Sequence, residues 1–263
     1  MAARGGRWRS VEFPALCGLI QHPAHGWLLY DTGYAEHFFT ATSTWPEALY
    51  RHLLPTELPE NETLHAQLAA AGLTRQDIKT VVISHYHGDH IAGLRDFPQA
   101  RFMALKADTE QFLGLQHRRW RATLGGYLPR LLPDDFMQRL TLADTCAWTD
   151  LPQWLAPFTR GLDLLGDGSV LGIPLPGHSA GQMGLFLPNA DGQPVFLVGD
   201  ACWSLPALRE GRLPALPAQW FMANRQRYHG TFTALMGIAR KEPAVALLPS
   251  HCLRAWQEYA DGH

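Results

Sequence analysis

Four short apolar runs, far apart in the chain, each lead into a side chain that can bind a metal ion. Thr80-Val81-Val82-Ile83 leads into Ser84-His85-Tyr86-His87-Gly88-Asp89-His90, and the run from Val170 to Leu175 leads into Pro176-Gly177-His178. Pro194-Val195-Phe196-Leu197-Val198 ends in Gly199-Asp200, and Val245-Ala246-Leu247-Leu248-Pro249 ends in Ser250-His251. Apolar runs of this length bounded by turn formers read as buried strands, and sites in α/β sheets stand at the carboxyl ends of strands. The recurrence is the strongest constraint on the fold: it must deliver several strand ends to one place.

The segment after Ile83 is the densest of the four. Side chains alternate along a strand, so the spacing predicts His85 and His87 on one side, as a pincer for one cation, with Tyr86 on the other. Gly88 then permits a sharp turn that brings Asp89 and His90 to the same mouth for a second cation. With 13 His among 263 residues, H-x-H-x-D-H arises by accident on the order of once in several hundred such chains. His178, flanked by glycines just past a strand, can approach an ion closely. Asp31, after the apolar Gly26 to Tyr30, reads either as a turn former before Gly33 or as a carboxylate that orients a histidine.

Alternation of strand and helix runs through the rest of the chain. Val11 to Leu19 and Gly26 to Tyr30 read as an opening hairpin, and Trp45 to Leu54 as a short peripheral helix. A helix over Leu64 to Ala71 follows the cap Asn61-Glu62-Thr63. Arg101 to Leu105 reads as a strand, as do Gly161 to Leu165, turning at Gly166-Asp167-Gly168, and Met183 to Pro188, turning at Asn189-Ala190-Asp191-Gly192. Arg225 to Lys241 has the periodicity of an amphipathic helix. Residues 107 to 160, with Trp120, Tyr127, Trp148 and Trp154, read as a mainly helical insertion without a clear strand that covers the site. The expectation is thus one domain over 1–263 carrying that insertion. Within it, Arg118-Arg119-Trp120-Arg121 reads as a solvated helix face or as a contact for an acidic or aromatic substrate, and the aromatic residues would serve equally as a contact between copies.

Composition excludes several alternatives. Hydrophobic residues at 46% against 17% charged exclude general disorder, and a net charge of −2 gives no global field for nucleic acid. No run approaches the ~18 apolar residues of a membrane span. Cys17, Cys146, Cys202 and Cys252 form no C-x-x-C pair and fit reduced thiols. The basic N-terminus, Arg4, Arg7 and Arg9, lacks a signal-peptide cleavage pattern, so the expected location is cytoplasmic.

From about Asp31 to His251 the chain resembles the metallo-β-lactamase superfamily, on H-x-H-x-D-H followed in order by a single His, Asp and His. The resemblance implies an αββα four-layer sandwich of two mixed β-sheets flanked by helices. It also implies one metal on His85, His87 and His178, a second on Asp89, His90 and His251, and Asp200 bridging both. Imidazole and carboxylate donors without thiolate suit Zn²⁺, with Mn²⁺ or Fe²⁺ as alternatives. The implied activity is a dinuclear-metal hydrolase in which a bridging hydroxide attacks a lactone, carboxylic ester or thioester. Asp89, nearest the nucleophile, would orient it or protonate the leaving group, and Asp200 would act through the metals. A phosphodiesterase using the same pair and a catalytically silent ligand-sensing protein are the alternatives.

Departures from the family's branches narrow the substrate. A cysteine where Asp200 stands would mark one class of β-lactamases, and a carboxylate where His87 stands would mark redox diiron relatives. Well-known lactonases carry a tyrosine three residues after the bridging aspartate, where this chain has Trp203; Tyr86, Tyr127 and Tyr228 are the candidates to replace it. After His251 only Arg254 is basic, fewer than a glutathione thioesterase of this superfamily would carry. The apolar, Trp-rich insertion favours an uncharged acyl or aromatic ester over a polynucleotide.

Overall fold

Strand direction decides where the candidate side chains emerge. The computed structural model describes residues 12–188, 190, 193–241 and 244–261. The chain divides into two compact units, Cys17–Leu142 and Met1–Leu16 with Ala143–His263.

The unit Cys17–Leu142 is built on a five-stranded mixed sheet in the order β1-β2-β3-β4-β5: β1 (Gly18–His22), β2 (Gly26–Tyr30), β3 (Ile78–Val82), β4 (Arg101–Ala104) and β5 (Leu140–Leu142). β1 pairs antiparallel with β2, and β2 through β5 are parallel. The carboxyl ends of β2 and β3 therefore lie side by side, with Tyr30 opposite Val82 and the Asp31 N–H donating to the Val82 carbonyl at 2.9 Å. That register carries Asp31 to the level of Ser84. The helices of this unit are α1 (Glu36–Ala41), α2 (Ala48–Leu53), α3 (Leu64–Ala70), α4 (Gly88–Ile91), α5 (Lys106–Leu115), α6 (Arg119–Leu124) and α7 (Phe136–Arg139). The Thr63 side chain caps α3 by accepting from Ala66 N at 3.2 Å, as the sequence predicts.

Phe38, Leu68, Phe112, Ala122 and Phe136 bring these helices onto Leu29, Val81 and Phe102 of the sheet in one buried cluster. Phe102 stacks on Phe136 with ring centroids 5.1 Å apart, and the Arg139 guanidinium lies 4.4 Å from the Phe102 ring. Each such aromatic burial stabilises the unit by about 1.5–3 kcal/mol.

The second unit carries a six-stranded mixed sheet in the order β11-β10-β9-β8-β7-β6: β6 (Trp148–Asp150), β7 (Arg160–Asp163), β8 (Leu171–Pro174), β9 (Met183–Leu187), β10 (Val195–Gly199) and β11 (Ala246–Pro249). β9 is antiparallel to both β8 and β10, and β11 is parallel to β10, so β8, β10 and β11 all run the same way. Their carboxyl ends share one edge, and His178, Asp200 and His251 follow them. The helices here are α8 (Leu205–Arg209), α9 (Arg225–Lys241) and α10 (Leu253–Asp261). No helix among the described residues is long and apolar enough to cross a membrane.

Several expectations change. Val11 lies outside the described residues, and the first strand begins only at Gly18, because Glu12 to Cys17 runs without ladder pairing. Asn189, Asp191 and Gly192 of the expected turn also lie outside them. Residues 107–160, expected to lack strands, include β5 and β6. Each has three residues and sits at a sheet edge, too short to display a period of two. His85 and His87 lie past the end of β3 rather than on it, and His87 makes an isolated bridge with Tyr127.

Candidate metal centre

The cluster after β3 is folded around Asp31. This carboxylate is buried, in a left-handed backbone conformation (φ 62°). It accepts from Ser84 N at 2.7 Å, from Ser84 Oγ at 2.7 Å and from His90 Nδ1 at 2.7 Å. Asp31 is thus the orienting carboxylate, one of the two readings its sequence position allowed. Because the Ser84 hydroxyl proton goes to Asp31, Ser84 Oγ accepts from His85 Nδ1 at 2.9 Å. Both histidines therefore carry their ring protons outward on Nδ1 and leave Nε2 with a lone pair. The rings gather closely, His85 to His87 at 4.5 Å and His85 to His90 at 4.0 Å between centroids.

Gly88 serves this cluster differently from the expected turn. It opens α4, and a Cβ there would meet Leu128 Cδ1 at 2.9 Å, so a larger residue would require that side chain to shift. The helical turn carries Asp89 and His90, with Asp89 Oδ2 3.6 Å from His90 Nε2. Thr32 latches the turn from the β2 side: its N–H and hydroxyl both donate to the His90 carbonyl, at 2.8 and 2.9 Å.

The second cluster is assembled from three strand ends. His178 Nε2 lies 3.2 Å from Asp200 Oδ2, and His251 Nε2 lies 3.1 Å from Asp200 Oδ1. His251 Nδ1 donates to the Pro14 carbonyl at 2.7 Å, and the Trp203 indole N–H donates to Asp200 Oδ2 at 2.9 Å. The loop bearing His178 is fixed through Gly177 (φ 134°), where a Cβ would fall 2.2 Å from Tyr228 N of α9. Asn224 N and Ala223 N donate to the carbonyls of Gly177 and His178, each at 3.0 Å.

This geometry tests whether a cation fits. With the Nδ1 proton committed to Pro14, a neutral His251 ring would face the Asp200 carboxylate with a lone pair, which is repulsive unless a positive charge stands between them or on the ring. Buried imidazoles with outward-fixed protons beside buried carboxylates are the donor set of a divalent ion such as zinc. His85, His87, Asp89, His90, His178, Asp200 and His251 all belong to groups whose donor atoms could hold a metal ion.

The supporting residues were mostly invisible in the sequence. Tyr50, in a stretch read as peripheral, is buried and donates from its hydroxyl to Asp89 Oδ1 at 3.2 Å. Burial first, and then Asp89, push its phenol well above the ordinary range, so it remains a donor. Asp108 accepts from Tyr86 N at 3.1 Å, and Pro14 contributes a backbone carbonyl that no side-chain pattern could reveal.

Among the candidate tyrosines, Tyr86 is committed to Thr109 Oγ1 at 2.8 Å, whereas Tyr127 places its ring 5.0 Å from that of His87. Tyr228 is buried, and its phenol is pushed up by burial, then by Cys202 and Asp200. Cys202 is a buried thiol, also pushed up, by burial first and then by Cys252 and Asp200; none of the four cysteines forms a disulfide.

The chain belongs to the metallo-β-lactamase superfamily, whose family model matches residues 11–242. The N-acyl homoserine lactonase AttM of Agrobacterium fabrum is 27% identical over 262 residues, covering 97% of this chain and 88% of that protein. A Bacillus thuringiensis AiiA mutant, solved with N-decanoyl-L-homoserine bound at its active site, matches at a TM-score of 0.67 and 16% identity, over 98% of this chain and 89% of that one. AidC, a dizinc quorum-quenching lactonase, matches at 0.60 and 15% identity, over 90% of this chain and 71% of that one. At such identities the structural matches establish the fold, two mixed sheets with flanking helices in the metallo-β-lactamase manner. A Mycobacterium tuberculosis protein named a probable metallo-hydrolase is 27% identical over 182 residues, and there the chain spans about half, 54%, of the relative's length.

Proposed function

We propose that the two clusters form one dinuclear metal centre, and that the chain, acting as a single superfamily domain, is a hydrolase of acyl lactones or related carboxylic esters and thioesters. His85, His87 and His178 would hold one divalent ion and Asp89, His90 and His251 the other, with Asp200 shared; zinc suits the donors best. The observation that carries the reading is the outward fixing of three ring protons, on Ser84, Asp31 and Pro14, at 2.9, 2.7 and 2.7 Å. Spending Nδ1 in this way is what a histidine ligand does when Nε2 is its donor atom. The lactonase names of AttM and AidC support the substrate class.

When bound, such a metal pair polarises a carbonyl and makes water acidic enough to attack near neutral pH. The protein's own contribution begins at Asp89. Its Oδ2 would take the proton of the attacking water and return it to the leaving alkoxide, while Tyr50 holds Oδ1 at 3.2 Å and keeps the carboxylate aimed. Asp31 holds His90 in one tautomer throughout.

Metal analysis coupled to a panel of an acyl lactone, an aryl ester, a thioester and bis(p-nitrophenyl) phosphate tests this reading. Two zinc equivalents with lactone or ester turnover are expected, and His178→Ala and Asp200→Ala should each lose metal and at least about a hundredfold in kcat/KM. A protein that takes up no metal, or cleaves only the phosphodiester, would contradict it.

A further inference from the structure

Asp200 is buried, and a buried carboxylate needs donors whose protons cannot be spent elsewhere. The nearest ring nitrogens, His178 Nε2 and His251 Nε2, donate only if their rings carry a proton there, and His251 already commits Nδ1 to Pro14. The Trp203 indole is different in kind. It has one N–H and no acceptor, and that N–H lies 2.9 Å from Asp200 Oδ2.

The indole is itself clamped on both sides. It meets the His178 ring edge-on at 5.9 Å and 81°, and the Phe13 ring at 6.0 Å and 82°, while Phe13 packs on His251 at 5.1 Å. The backbone beyond it is pinned where Ser204 caps α8, accepting from Ala207 N at 3.4 Å.

We infer that Trp203 is the positioning residue for Asp200: its indole N–H holds Oδ2, fixes the carboxylate against the His178 and His251 rings, and so sets how tightly Asp200 binds metal. The same bond spends the one N–H the indole has, so Trp203 has no second hydrogen bond to donate. This rests on the metal centre proposed above, and the two fail separately. A wild-type protein that takes up no zinc removes the centre itself, whereas a wild-type protein that loads with zinc leaves the role of Trp203 to be decided by the variants.

The test is Trp203→Phe in the full chain, which keeps an aromatic ring against Phe13 and His178 and removes the N–H. Zinc affinity is measured by chelator competition, with thermal unfolding of the metal-free and loaded forms alongside. The expected result is zinc binding weaker by about 10–100-fold and a smaller rise in Tm on loading, with only a modest fall in the metal-free Tm from the lost hydrogen bond. With lactone as substrate, kcat should fall while KM holds.

Zinc affinity within twofold of wild type would overturn the inference, as would a Phe13→Leu variant that weakens zinc binding as much as Trp203→Phe, since packing alone would then account for the effect. Should Trp203→Phe fail to fold, the bond is read in metal-free wild type from exchange of the Trp203 indole proton. Slow exchange that becomes fast in Asp200→Ala supports the role, and equal exchange in the two refutes it.

Discussion

The two clusters reach similar donor sets by opposite routes. One is a single stretch, Ser84 to His90, folded onto one buried carboxylate; the other collects His178, Asp200 and His251 from three strands and backs them with neutral groups, the Pro14 carbonyl and the Trp203 indole. A contiguous cluster needs only local geometry and one charged partner. A dispersed cluster depends on sheet register and on the loop packing at each strand end. The first should therefore fail by loss of its carboxylate and the second by distortion of its scaffold.

The largest effect is expected at the scaffold of the dispersed cluster. Gly177→Ala places a Cβ 2.2 Å from Tyr228 N at a φ of 134°, so loop and helix must separate. Urea denaturation should register a loss of about 3–5 kcal/mol, combining backbone strain with overpacking. A loss under about 1 kcal/mol would mean that the loop shifts freely, which breaks the contrast between the clusters.

Next comes the carboxylate of the contiguous cluster. Asp31→Ala leaves Ser84 N–H buried without its acceptor and frees His90 Nδ1. About 3 kcal/mol of stability should be lost, and zinc affinity should fall beyond the effect of Trp203→Phe, because a charged partner is removed instead of a neutral one. Equal losses of zinc affinity in the two variants would erase the distinction between charged and neutral backing.

Smaller effects sharpen the picture. Tyr50→Phe removes the hydrogen bond to Asp89 Oδ1, worth about 0.5–1.5 kcal/mol, and should lower kcat several-fold with zinc content unchanged. Tyr228→Phe is expected to change least. The hydroxyl is buried with no hydrogen-bond partner among the described residues, so its removal should leave stability within about 1 kcal/mol of wild type or raise it slightly, by calorimetry.

Legibility in the sequence follows the same division. The H-x-H-x-D-H stretch declares itself because its donors are neighbours, and α9 was bounded at Arg225 and Lys241 because 17 residues of helical period leave little ambiguity. His178, Asp200 and His251 stand alone in the sequence and were readable from the recurrence of strand ends, the glycines around His178 and the order of the superfamily's motifs. β5 and β6 were unreadable at three residues each, and their existence depends on pairing with Phe102–Ala104 and Arg160–Leu162. Tyr50 was missed because it acts across 39 residues of sequence, and Trp203 marked a departure without revealing the proton it donates.

The contact between Gly177 and the backbone of Tyr228 also makes α9 a tuning handle. Because no side chain cushions the two backbones, a small shift of the helix is handed directly to the loop that carries His178. Substitutions along α9 that touch neither donors nor substrate should therefore change the grip on metal in graded steps. A directed-evolution campaign on this protein would find its useful variation there, well outside the ring of ligands.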